Sequence, residues 1–244
     1  MKALRLSLLM MGIGSAFLAG YGFRSASAQQ RPDTGQSTGN LPADIYPESL
    51  CRLPRPRRED LTTDAEKQAF DRLVALTPQV LVPKGSLGAT GIRMQIPELA
   101  EGYRNLFMLL REKGGLEPKY FTLAVLVAAR ESDDEYEWSE YEPNAVKLLS
   151  RDLVEMIRNK QEIKGAGEKE EALIRLGREM HRGPKVTSKT YSDMERLFGR
   201  KQTLDIVLII GFYEGSGLMF RAYDHRLPPE KKRPFPDVVA MESK

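Results

Sequence analysis

The densest chemistry in the chain lies in residues 129–143, ARESDDEYEWSEYEP, where carboxylates and aromatic rings crowd around the only tryptophan. A carboxyl group moved out of water loses preference for its charged form, so its pKa climbs toward the range useful for proton transfer. Glu131, ending an apolar stretch, is the first candidate for such a group, with Tyr141 as a hydrogen-bond donor beside it. The competing reading is a solvated acidic helix that buries Trp138 and leaves its charges in water. Glu214 is a separate case, the only charge between residues 206 and 220. A carboxylate in an apolar helix must find a partner or a proton, either an arginine across a subunit contact or the same pocket.

Other reactive groups are few. The single cysteine, Cys51, excludes an internal disulfide, a Cys-x-x-Cys redox pair and a thiolate zinc cage. Its basic neighbours in PESLCRLPRPRR would favour a thiolate, but no resolving thiol exists. Two histidines, His181 and His225, leave little for a polyhistidine metal site, and no cofactor motif occurs. His181 near its helix end reads first as a cap on the last carbonyls and second as a proton carrier. Three glycines in PKGSLGATG, residues 83–91, match neither phosphate-loop nor dinucleotide spacing and read as a connecting loop.

These groups must be carried by helices. Phe70, Leu73, Val74 and Leu76 recur at helical intervals. Leu99, Tyr103, Leu106, Phe107 and Leu110 do so after Pro97, a residue suited to a first helical position. Phe121, Val125 and Ala128 mark a helix starting near Pro118, and further stripes follow through Leu153, Leu173 and Met194. Period-two alternation is missing, so the fold class is all-α. In the acidic segment, the Ser132 and Glu135 spacing predicts a capping box. Pro143 predicts a short helix over about 133–142, with another beginning at Pro143. Residues 206–220 are apolar nearly all round, which predicts a helix central to the core or to a subunit contact.

The 244-residue chain is 41% hydrophobic, enough to bury a proper core. Residues 1–28 read as a secretory signal: Lys2 and Arg5, an apolar run broken by glycines, then Ala26-Ser27-Ala28. Cleavage after Ala28 implies a secreted or periplasmic protein with no stable membrane span. Residues 29–60 read as a flexible linker, 61–227 as the helical domain and 228–244 as a tail. Beyond residue 28 the 34 basic and 34 acidic groups cancel, which excludes binding led by phosphate contacts, so no nucleic acid is expected.

The blocks IPELAEGYRNL (96–106), TLAVLVAARE (122–131), YEWSEYEPNA (136–145), ALIRLGREMH (172–181) and LDIVLIIGFY (204–213) occur in one order. In that order, over about residues 83–227, the chain resembles the carboxymuconolactone decarboxylase family, whose superfamily includes the alkylhydroperoxidase D type. The resemblance implies a helical homo-oligomer, often a trimer or hexamer, with sites between helices near subunit contacts. It carries Glu131 over as the acid ending one family helix, and Glu137 and Trp138 as the Glu-Trp of the family motif, Trp138 as a pocket wall. His181 falls in a family-like block. Where decarboxylase-like members place a proton-transferring histidine this chain has Tyr141, and the Cys-x-x-Cys of peroxidase-like members is missing.

The expected function is therefore proton transfer or decarboxylation on a small organic acid or lactone, without a cofactor or metal. Glu131, Tyr141 and Glu137 are the expected catalytic groups, and Trp138, Glu214 and His181 the substrate-binding ones. A non-catalytic binder or scaffold that has lost the family histidine is the alternative. A peroxidase working through Cys51 alone is a distant third.

Overall fold

The computed structural model describes residues 41–81 and 85–235. The expected leader with its cleavage site, residues 29–40 of the expected linker and residues 236–244 of the tail lie outside the described residues. The fold is all-α: α1 (Asp64–Leu76), α2 (Gly88–Arg93), α3 (Pro97–Met108), α4 (Pro118–Glu131), α5 (Glu135–Leu148), α6 (Arg151–Arg158), α7 (Glu168–Arg182) and α8 (Ser188–Ala222).

Helix α4 is the axis. Its run FTLAVLVAAR offers no polar face, and every residue from Tyr120 to Arg130 is buried under α5, α6, α7 and α8. Leu123, Val125 and Leu126 have no exposed surface, and each such side chain contributes ~1.5–3 kcal/mol on burial. Helix α7 approaches α4 at Gly177, where an added Cβ would stand 2.4 Å from Val127 Cγ1. Helices α1 to α3 form a side layer around Phe70, Leu73, Val80, Met94 and Ala100.

Helix α8 is broken at Gly199, which takes a left-handed φ of 73°. Its second half buries Ile206, Ile209, Ile210, Tyr213 and Phe220. The other side is not covered: Leu204, Leu208 and Leu218 are exposed, and Gly211 and Gly215 lie on the same side with open space around them.

Two local expectations are corrected. Ser132 forms no capping box; its hydroxyl donates back to the Ala128 carbonyl at 2.7 Å, and Asp134 caps α5 by accepting the Glu137 N–H at 3.0 Å. Asp133, at φ 53°, makes the turn between the two helices. Pro143 does not divide α5, which runs through it to Leu148. Proline removes one hydrogen bond, and buried Trp138 and Ala145 on either side of it hold the helix to the core.

The stretch before residue 60 is also built into the domain where it is described. Ile45, Ser49, Leu50 and Cys51 are buried, Tyr46 and Cys51 form an antiparallel bridge, and Arg52 N–H bonds the Tyr223 carbonyl at 2.8 Å. At the other end, Phe235 packs on Trp138 with ring centroids 5.3 Å apart, and Arg233 pairs with Glu135. A few apolar side chains in otherwise polar, proline-rich segments suffice, because proline lowers the entropy lost on ordering.

Replacing Gly177 by alanine should destabilise the protein by ~1–3 kcal/mol through overpacking against Val127. Urea unfolding measures it, and an unchanged midpoint would show that α4 and α7 are not in close contact.

Candidate functional site

A cavity of about 620 Å³ opens between α2, α3, α5 and the second half of α8. Helix α5 contributes Tyr136, Glu137 and Tyr141, α8 contributes Phe212 and Tyr213, α3 contributes Tyr103 and Phe107, and α2 contributes Arg93. The spacing of Glu137 and Tyr141, one turn apart on α5, puts both on the cavity side.

Glu137 is only 7% exposed. Burial pushes its carboxyl up to about 8; the nearby Asp134 adds to the rise and Arg93 opposes it. Asp134, also buried, is raised to about 6 for the same leading reason. The Tyr141 phenol is pushed up to about 12 by burial, and its hydroxyl bonds that of Tyr213, whose pKa burial also raises. Arg93 donates to Ser216 Oγ at 2.7 Å, and its guanidinium lies 4.3 Å from the Tyr103 ring centre and 5.3 Å from that of Phe212. Burial pulls its pKa below the usual value, against the pull of Glu137. The cavity thus joins a neutral acid, a cation, a hydroxyl pair and aromatic walls. Such a set can bind an anion, deliver a proton and donate hydrogen bonds to a developing oxyanion.

The residues expected from sequence are not all brought together. Glu137 and Tyr141 share this cavity. Glu131 does not line it: Arg182 holds its carboxylate through two hydrogen bonds at 2.8 and 2.7 Å, with Arg178 at 3.5 Å. Trp138 is wholly buried in the core, its indole N–H donating to Glu142 at 3.0 Å, and does not line the cavity either. His181 places Nδ1 2.8 Å from the Gly177 carbonyl and Nε2 3.4 Å from Glu214, away from Tyr141. Cys51 has no exposed surface, and its sulfur sits against the Leu53 carbonyl at 3.4 Å. Among the described residues, no group of three or more His, Cys, Asp or Glu could hold a metal.

Two members of the site went unrecognised in the sequence. Arg93 had a signal: it is the only charge in residues 85–97, within a run that includes Ile92 and Met94. Tyr213 was hidden in an apolar helix. His225 is structural. It accepts the Gly88 N–H at 2.9 Å, stacks on Phe220 and is pushed down to about 4 by burial, so it stays neutral.

A larger cavity, about 720 Å³, lies on the other side of Tyr136, below Asp134 and the end of α8. It is the weaker candidate on charge. Most of its ions already satisfy one another, Arg130 pairing with Asp133, Arg226 with Asp224 and Arg233 with Glu135.

No protein-family model and no curated protein matches the chain. Solved structures do. A protein of unknown function from Agrobacterium tumefaciens, suggested to be the antioxidant defence protein AhpD, aligns with TM-score 0.50 at 16% identity, covering 55% of this chain and 93% of that one. The apo form of the debrominase Bmp8 aligns with TM-score 0.54 at 14% identity, covering 74% of this chain and 92% of that one. A cysteine-to-alanine variant of the same debrominase, in complex with 2,3,4-tribromopyrrole, aligns with TM-score 0.55 at 16% identity, covering 74% and 94%. The chain shares the alkylhydroperoxidase D-like fold with them.

The raised carboxyls fix a pH dependence. Folding raises Glu137 from 4.5 to about 8, so the folded state keeps a proton that the unfolded chain releases. Its contribution to stability is full below about pH 4.5 and disappears as pH rises through about 8. Glu137→Gln, which cannot titrate, should flatten the fall in melting temperature across that window, a difference on the order of a few kcal/mol. Parallel melting curves for the variant and the wild type would refute the buried neutral acid.

Proposed function

We propose that this alkylhydroperoxidase D-like chain is an enzyme that moves a proton on a small organic acid or lactone, by decarboxylation or isomerisation. The observation that carries it is the buried Glu137 carboxyl, raised to about 8, in one cavity with Tyr141 and Arg93. At neutral pH Glu137 holds a proton that it can deliver to a substrate carbon. The resulting carboxylate sits near Arg93, whose charge favours it, and regains a proton from solvent or from a second carbon. Tyr141 stays protonated and acts as a hydrogen-bond donor, set by its bond to Tyr213. The phenol standing where the resembling family has a histidine is a poor shuttle, so the proton passes to Glu137. In decarboxylation the C–CO₂ electron pair enters the substrate's own unsaturated system, and Glu137 protonates the carbon left behind. Glu131, tied to Arg182, is in this reading a structural ion pair.

Two further expectations enter the proposal. The leader-like residues 1–28 support export. Self-association is supported by Leu204, Leu208, Gly211, Gly215 and Leu218, an apolar row on α8 at alternating spacings of four and three. An uncovered row of this kind is unusual for a protein that works alone.

Wild type, incubated in D₂O with a panel of lactones and muconate-like acids, should release CO₂ or incorporate deuterium. Glu137→Gln should slow this by about 10²–10⁴-fold and Tyr141→Phe by less, with thermal shifts by the same compounds retained. Full activity in Glu137→Gln would overturn the assignment. Thermal shifts without any turnover would mark a binding protein. For assembly, Leu208→Glu should reduce the mass measured by light scattering to that of one chain, and a wild type that is already a monomer would end that part of the proposal.

A further inference from the structure

Among the described residues, Arg93 is a cation without a counter-ion. Its one hydrogen bond goes to the neutral hydroxyl of Ser216, and the other neighbours of its guanidinium are the Tyr103 and Phe212 rings. Two carboxyl groups line the same cavity, Glu137 and Glu140. Glu137 carries a proton at neutral pH, and Glu140 is paired with Lys231. Of the other basic groups in the wall, Arg55 and Arg104 are half-buried, and Arg55 donates to the carbonyls of Glu48, Val80 and Gly85. Arg93 is half-buried, and a guanidinium partly withdrawn from water and left unpaired costs stability unless something of opposite charge arrives. The described residues supply no anion here.

We propose that Arg93 is the anchor for the carboxylate of a flat, unsaturated small acid, whose plane lies against the aromatic side chains around it. Tyr103 and Phe212 flank the guanidinium, whose hydrogen bond to Ser216 leaves donors free for a planar two-oxygen group. Phe107, Tyr141 and Tyr213 continue the aromatic wall, with Phe107 and Phe212 centroids 6.2 Å apart and those of Tyr141 and Tyr213 5.4 Å apart. Walls of this kind favour π-faced ligands over saturated ones. A carboxylate held by Arg93 is stabilised where it is, so the anchored group is not the one that reacts at Glu137. Ser216, through its bond to Nη2, is a positioning residue for the anchor.

The inference rests on the cavity being the working site of the proposed enzyme, but its test reads binding and needs no turnover. Benzoate and its neutral isostere benzamide are titrated calorimetrically into the full chain. Benzoate should bind about tenfold more tightly than benzamide, as a charge-assisted pair at a water-poor site requires. Arg93→Met should erase that preference, and Glu137→Gln should keep it. Equal affinity of the two probes for the wild type, no binding of benzoate, or a preference that survives Arg93→Met would each overturn the proposal. The wild-type comparison decides even if Arg93→Met fails to fold. A benzoate preference lost in Arg93→Met, in a protein with no deuterium exchange, leaves the anchor standing and removes only the catalytic reading.

Discussion

The site depends on keeping a carboxyl group and a guanidinium in one water-poor space without letting them neutralise each other. Had Glu137 and Arg93 formed a tight ion pair, both would have lost their chemistry: the acid its proton, the cation its capacity for an outside anion. Instead Arg93 is turned toward Ser216 and two rings, and Glu137 lies behind the Asp134 cap, where burial outweighs the pull of Arg93. That arrangement is destabilising by itself. It persists because the elements carrying it are fixed elsewhere, Glu137 by the start of α5 and Arg93 by the buried turn around Ile92 and Met94.

The burial of α4 makes this possible. A helix without a polar face must be surrounded, and α5, α7 and α8 all pack on α4, while α5 and α8 also line the cavity. The close approach at Gly177 and the cavity near Tyr213 thus both depend on elements packed against α4.

The helical periods of α1, α3, α4 and α7 were legible in the sequence because burial repeats at the helix period, and so was the acidic segment as the place for chemistry. The choice between Glu131 and Glu137 was not. Both flank the same turn, and which one meets water, an ion or an apolar wall depends on where Arg182, 51 residues further along, comes to rest. Local rules also predicted a capping box at Ser132 and a break at Pro143. Each rule concerns one or two hydrogen bonds, and each was overridden by the burial of Trp138 and its neighbours. Composition also averages away the few apolar residues, Ile45, Leu50 and Cys51, that dock residues 41–60.

Trp138 sits under Phe235, beside the Arg158 guanidinium at 5.4 Å and hydrogen-bonded to Glu142, while Arg158 also holds the Pro234 carbonyl. The chain's one indole is therefore an optical gauge of whether its C-terminal strap is seated. Light emitted by it speaks of the strap and the α5–α6 corner, and silence in that signal when a compound enters the cavity says nothing against occupancy.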